Sequence, residues 1–281
     1  MLQRHGAGAT FLFSLGPDHT GRAIKRAFRP GFMKKVGRTS VVSHYGVKTL
    51  LYGTLLPGPD IGKRCADVMR SVRDAGFEVG IHTWDHVEWQ DLVGTANATW
   101  TEERMAAARD RFREIFAAEP EVHGAAGWQM NAHAYRRTQS FGFRYASDTR
   151  GTHPFLPVVR GEIVACPQFP TTLPTLDEMI GIDGVTEVNV ADRLLELTHE
   201  PRDHVYTLHA ELEGMKLASS FEALLEGWKE QGYQLTSLAG LAAAQPPGGL
   251  PLHTVLDAPL PGRSGTLSTQ GPAFLQSKSS P

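Results

Sequence analysis

Cysteine is scarce in this chain: Cys65 and Cys166 are the only two among 281 residues. Two thiols cannot build a Cys-rich metal centre or a disulfide-stapled mini-protein, and they leave the redox compartment open. Charge imbalance is also missing. Lys and Arg number 28 against 30 Asp and Glu, for a formal net charge of −2, which argues against a generic nucleic-acid binder. No apolar run reaches the roughly 18–20 residues that a membrane-spanning helix needs. Residues 9–15, after Arg4, mimic a short export signal. No Ala-x-Ala pattern follows, and Gly16-Pro17-Asp18 closes the run at once, so a buried strand and a loop are expected there. A hydrophobic content of 41% excludes wholesale disorder. At ~150 residues per domain, the length suits one large domain or two small ones.

Short apolar runs alternate with longer amphipathic ones. The pattern predicts strands at 10–15, 77–82, 122–126, 143–147, 163–165, 205–209 and 233–236. Between them, helices are expected after the N-cap candidate Asp60 and over 101–116, 131–140, 189–198 and 219–231. Strands separated by helices predict an α/β domain with a parallel sheet, open or closed into a barrel, over residues 1–245. In either form the ligand site lies at the C-terminal ends of the strands. Residues 246–281 are rich in Pro, Gly and Ser without a sustained period, and a disordered tail with no part in catalysis is expected.

Acid is absent from one stretch. Residues 19–59 hold no Asp or Glu but carry Arg22, Lys25, Arg26, Arg29, Lys34, Lys35, Arg38 and Lys48, and an apolar strip runs over 47–56. Basic charge beside apolar surface suits docking on anionic lipid, at ~1 kcal/mol per basic residue. A solvated basic face is the bland alternative, and the sequence leaves both open.

The sharpest local feature is His82-Thr83-Trp84-Asp85-His86. Two imidazoles four residues apart at a strand end can reach one divalent ion, or can be a structural pair. The helical zinc-protease motif is excluded, because Thr83 stands where that motif needs glutamate. His209 closes another strand run. It reads either as a hydrogen-bonded terminus or as a general acid, for which imidazole suits neutral pH. Asp148 and Arg150 could form a surface ion pair or hold a polar substrate. Trp128, in the loop after 122–126, could line a pocket or plug the core.

Taken together, these loops resemble the polysaccharide deacetylase family, the NodB-homology fold. The nearest likeness is to its branch that deformylates 4-deoxy-4-formamido-L-arabinose-phosphoundecaprenol. The resemblance spans about residues 6–244 and rests on six ordered segments: FLFSLGPDHTGR (11–22), GIHTWDHVEWQ (80–90), GAAGWQMN (124–131), YASDTRG (145–151), PTTLPTLDEMIG (170–181) and YTLHAELEG (206–214). It implies a distorted (β/α) barrel. It also implies metal ligation by His82 and His86, an acid role for His209, and substrate contacts from Trp128, Asp148 and Arg150. The implied cofactor is a divalent metal ion, zinc by preference. The implied partner is undecaprenyl-phosphate-linked formamido-arabinose, met at the cytoplasmic face of a Gram-negative inner membrane through residues 19–59. The deformylated product serves lipid A modification and resistance to polymyxin and cationic peptides.

Two departures from the family pattern stand out. Met1 leads directly into Leu2-Gln3-Arg4-His5-Gly6, which looks like a helix end. The expected barrel therefore lacks its first strand and the Asp-x-Asp motif that supplies the base and a third metal ligand. Asp18 lies in the wrong loop to replace it. Gln129 stands where the broader family often has an orienting arginine. On these grounds the chain is expected to have impaired activity. The competing readings are a deacetylase of peptidoglycan or chitooligosaccharide, and an inactive remnant that binds lipid-linked sugar.

Overall fold

The computed structural model describes residues 1–23, 48–245 and 249–275. Leu2–His5 forms a 3-10 turn ended by Gly6 at φ +61°, a left-handed cap that glycine adopts without a Cβ clash. Strand β1 (Thr10–Ser14) then pairs in parallel with β2 (Glu78–Thr83), β2 with β3 (Val122–His123), and β3 with β4 (Tyr145–Ala146). The order β1-β2-β3-β4 follows the chain without reversal, as expected of a sheet wound in one direction around a barrel. Beyond β4, parallel bridges Ala146–Gln168 and Arg150–Thr171 continue the curve through irregular segments.

Helices cover the outer face. The first connection holds α1 (Ile61–Arg64), capped by the Asp60 side chain, and α2 (Ala66–Asp74). Between β2 and β3 come α3 (His86–Leu92) and α4 (Ala98–Phe116). Asn97 caps α4 by accepting the Trp100 N–H, and Thr101, Met105, Ala108, Phe112 and Ile115 form its buried stripe at helical spacing. α5 (Ala132–Ser140) links β3 to β4, again with an Asn cap, Asn131. Leu15, Ile81, Trp89, Val93 and Phe116 join the α4 stripe in the main core. A second core gathers Leu176 of α6 (Leu176–Met179), Val190 and Leu194 of α7 (Val190–Glu196), and Phe221, Leu224 and Trp228 of α8 (Ala218–Glu230). A short helix, α9 (Leu238–Ala243), packs instead against Val122 and Tyr145 of the first sheet and Phe169.

Three expectations are corrected. Residues 205–209 and 233–236 are extended but join no ladder. They are tied by single bonds instead, such as Thr172 N–H to the Val205 carbonyl and Gly8 N–H to the Leu235 carbonyl. The run at 163–165 is not a central strand: β6 (Glu162–Ile163) turns back antiparallel on β5 (Leu156–Val159). Most consequential is the supposed tail. β7 (Leu252–Ala258) and β8 (Leu267–Ala273) form a hairpin, and β7 pairs in parallel with β5, giving a second sheet ordered β6-β5-β7-β8. The proline-rich composition misled because the hairpin is ordered by long-range pairing, which local periodicity does not encode. Residues 246–248 and 276–281 lie outside the described residues, as does 24–47, which holds all of the basic stretch except Arg22 and Lys48.

Arg150 joins the two sheets. Its N–H donates to the Ser268 carbonyl at 2.9 Å, and its own carbonyl accepts from Gln270 N–H at 2.7 Å. Ending the chain after Gln245 removes those partners and uncovers the buried side of β5. We expect a fall in Tm of more than about 5 °C by thermal denaturation, which is more than 1 kcal/mol for a domain of this size. An unchanged Tm would mean the hairpin contributes nothing to the fold.

Candidate functional site

The His82/His86 pair is positioned by two local devices. Phe13 is paired with Ile81, but Ser14 is paired with Thr83, so His82 is the extra residue of a bulge at the end of β2. Bulges re-aim a side chain near a strand end. Three residues on, Asp85 caps α3: its Oδ1 accepts from Val87 N–H and Glu88 N–H, each at 3.1 Å. Its other oxygen takes the ring of His19. The cap places His86 at the first helical position, and the two rings lie 5.1 Å apart between centroids.

His82 Nδ1 lies 2.7 Å from the Gly124 carbonyl. A carbonyl only accepts, so Nδ1 carries the hydrogen and Nε2 keeps its lone pair, the arrangement seen in metal-bound histidines. Desolvation lowers the His82 pKa to about 4, with the nearby His209 and His123 adding to the shift. The ring is therefore neutral at physiological pH, as a ligand must be. These two imidazoles fit the nitrogen ligands of a divalent ion. Among the described residues, no group of three or more His, Cys, Asp or Glu gathers around one point. The described part of the site thus offers two ligands, where catalytic zinc usually has three.

His209 sits beyond the extended 205–208 run. Its backbone N–H donates to Glu213 Oε2 at 3.0 Å, and its Nδ1 lies 3.7 Å from Asp177 Oδ1. The Nδ1 atom is buried without a hydrogen-bond partner among the described residues. Glu213 is buried, its carboxyl pushed up by desolvation, and Tyr206 O–H donates to it at 2.9 Å. Asp177 and Glu213 were not singled out from sequence, although both fall in the segments that carry the family resemblance.

Asp148 and Arg150 do not pair with each other, and neither is on the surface. Asp148 is fully buried: Oδ1 takes His123 at 2.7 Å and Ala125 N–H at 2.9 Å, and Oδ2 takes Gln168 at 3.1 Å. With both oxygens engaged inside the protein, Asp148 positions the β3 and β4 ends and is not placed to hold a substrate. Arg150 instead meets Glu178 at 2.7 Å and donates to the Leu173 carbonyl at 3.0 Å.

Trp128 is buried, donates its indole N–H to Thr171 at 3.1 Å, and lies under two guanidinium groups, Arg150 at 4.7 Å and Arg263 at 4.9 Å. Its backbone is left-handed, φ +52°, directly after Gly127 at φ +61°. A Cβ on Gly127 would lie 1.9 Å from the Gln90 amide nitrogen, so only glycine fits this turn. The left-handed backbone of Trp128 is strained for a residue with a Cβ, a feature common at functional loops. Arg263 also bonds Glu178, at 2.6 Å. It was missed because it belongs to the supposed tail. Gln129 does not face the histidines with its amide: Nε2 donates to the Thr266 carbonyl at 2.6 Å.

Comparison with known proteins bears on the family and the fold. The polysaccharide deacetylase family model matches residues 1–146. A Shewanella sediminis protein named "Probable 4-deoxy-4-formamido-L-arabinose-phosphoundecaprenol deformylase ArnD" is 35% identical over 279 residues, 99% of this chain and 90% of its own. A protein of the same name from Wigglesworthia glossinidia brevipalpis is 29% identical over 271 residues, 96% of this chain and 94% of its own. Among solved structures, one from Mycobacterium smegmatis described as a polysaccharide deacetylase superposes with a TM-score of 0.53 at 18% identity, covering 85% of this chain and 90% of that one. PuuE allantoinase gives 0.53 at 16% identity, with coverage of 86% and 84%. The fold is the distorted barrel of that class. The chain belongs to the polysaccharide deacetylase family and is a hydrolase of carbon–nitrogen amide bonds, of deformylase or deacetylase type.

Two outcomes follow. The unfolded chain binds protons at an ordinary His82 below pH ~6.5, whereas the folded ring stays neutral down to about 4. Stability therefore falls as pH drops through that window, and His82→Asn should flatten the dependence of Tm on pH there. Glu178→Gln leaves Arg150 and Arg263 buried beside an uncharged partner. Urea unfolding should show a loss of ~3–5 kcal/mol; a loss below 1 kcal/mol would make the cluster dispensable.

Proposed function

We propose that this chain removes the N-formyl group from 4-deoxy-4-formamido-L-arabinose-phosphoundecaprenol, yielding the 4-amino sugar lipid. The observation that carries this reading is the 35% identity to a protein of that name along 99% of the chain. A chitin or peptidoglycan deacetylase would share the family but not that full-length kinship. The setting proposed is the cytoplasmic face of a Gram-negative inner membrane, where the product feeds lipid A modification and polymyxin resistance. No helix among the described residues is long and apolar enough to cross a membrane. The basic stretch 19–59 is assigned to the anionic lipid surface in this reading.

His82 and His86 would hold the divalent ion, zinc by preference, through ring nitrogens. When bound, such an ion polarises the formyl oxygen and lowers the pKa of a water molecule. The rest of the chemistry belongs to side chains. An amide nitrogen is a poor leaving group until it is protonated, and His209 is the residue placed to do this. Its Nδ1 faces Asp177 at 3.7 Å, which leaves Nε2 as the atom to deliver the proton to the departing sugar amine. Glu213 fixes the His209 backbone through the 3.0 Å bond, which sets where that ring stands. Arg150 lines a cleft of about 340 Å³ together with Thr171, Thr172 and Gln270, a polar wall suited to sugar hydroxyls and a phosphodiester. Trp128 stiffens that wall from behind.

Formate release from a short-chain analogue of the formamido-arabinose lipid, assayed with zinc supplied, tests the proposal. Slow release is expected, because the described residues supply two metal ligands where a catalytic site usually has three. His209→Ala should lower kcat by about 10²–10⁴ without changing zinc content, because the proton donor is lost but the ligands are kept. His82→Ala should lower zinc content and turnover together. Absence of formate from the unaltered chain at saturating zinc overturns the reading.

A further inference from the structure

Two histidines that play no part in the site above face each other across the 340 Å³ cleft. His153 lies in the loop between β4 and β5, and His253 lies on β7. Their Nε2 atoms are 3.2 Å apart, with rings nearly perpendicular at 73°. The hydrogen bonds around them decide which nitrogens carry hydrogen. His253 Nδ1 is 2.8 Å from the Gly271 carbonyl, which can only accept, so Nδ1–H donates and Nε2 holds a lone pair. Thr152 Oγ1 donates its one hydrogen to Gln270 Oε1 at 3.2 Å and therefore accepts from His153 Nδ1 at 2.9 Å. His153 Nε2 is then also a lone pair. It takes a hydrogen from the Gln270 amide at 3.1 Å, an amide oriented by Thr152 N–H donating to its oxygen at 2.8 Å.

The two Nε2 acceptors thus stand 3.2 Å apart with the Gln270 amide hydrogen on His153, a hydrogen bond that an ion bound between the rings would displace. Tetrahedral zinc with Zn–N bonds of 2.0–2.1 Å separates its ligand nitrogens by ~3.3 Å, close to the 3.2 Å seen. Each ring also has an oxygen partner on its far nitrogen, the outer arrangement that orients metal-bound histidine. We propose that His153 and His253 form a second site for a divalent transition-metal ion of the zinc class, separate from His82 and His86. Borderline nitrogen ligands select zinc, nickel or copper over magnesium or calcium. Such an ion clamps the β7–β8 hairpin to the β4–β5 loop at the mouth of the cleft. Both histidines line the cleft that the deformylase reading gives to the sugar, but their ligand geometry stands without that reading and without His82 and His86.

The test is equilibrium dialysis of the full chain against zinc chloride near neutral pH, with metal counted in the protein compartment. His82→Ala/His86→Ala protein provides the background in which the second site stands alone. That protein should keep one tightly held ion. Adding His153→Ala or His253→Ala should weaken the remaining binding at least tenfold. An unchanged affinity, or no binding in the background protein, overturns the proposal; in the latter case the pair holds a proton instead. A measurement without substitution at the pair guards against misfolding. In the background protein, zinc should shift the Nε2 resonances of two histidines in long-range proton–nitrogen spectra while their Nδ1 signals stay in the protonated range. Shifts confined to other histidines, or to none, would refute the assignment.

Discussion

Glu178 and the two guanidinium groups it holds, Arg150 and Arg263, form the constraint on which this half of the molecule depends. Burial opposes ionisation of the carboxyl, but the two arginines outweigh it and keep it below the usual carboxylate range. Buried charge is tolerable only when paired. Here the pairing also ties three distant segments together: the loop after β4, the start of α6 and the turn of the C-terminal hairpin. Trp128 supplies an aromatic face for both cations. The strained loop that carries Trp128 is held in place by this stack rather than by its own backbone preferences.

The candidate chemistry follows a different rule. His82 and His86 depend on a bulge and a helix cap, two local devices that act over five residues. His209 depends on Glu213 four residues away and on Asp177 from another segment. The site thus combines one rigid, locally encoded pair with one acid whose position is set by tertiary contacts. Asp148 belongs to neither group. It joins β3 and β4 through His123, Ala125 and Gln168, which explains why a polar residue at a strand end is fully enclosed.

How much of this could be read from the residues follows from the range of the forces involved. The parallel β/α alternation through β4 was legible because Leu12, Ile81 and Val122 recur in short apolar runs and α4 shows a clean buried stripe. The histidine pair was legible because it lies at a strand end in an α/β pattern. The family resemblance then supplied the acid at 209. What escaped was long-range. β7 pairs with a strand about a hundred residues earlier and carries β8 with it, and nothing in their Pro- and Gly-rich composition announces it. The ion-pair partners Glu178 and Arg263 were hidden for the same reason. Asp148 and Arg150 were read as neighbours because they are close in sequence, yet each is engaged by a partner from a distant segment, His123 for one and Glu178 for the other.

The peptide of Arg150 has a kinetic consequence. Its N–H and carbonyl are both bonded to β8, while the flanking Gly151 N–H and Thr149 carbonyl are bonded to Thr171. One short run of backbone is therefore the seam along which the two sheets are stitched. Amide protons there can exchange with solvent only when the hairpin lifts, so the cleft wall and the C-terminal strands open as one cooperative unit. The lifetime of an intact cleft is then governed by residues about a hundred positions downstream of the wall itself.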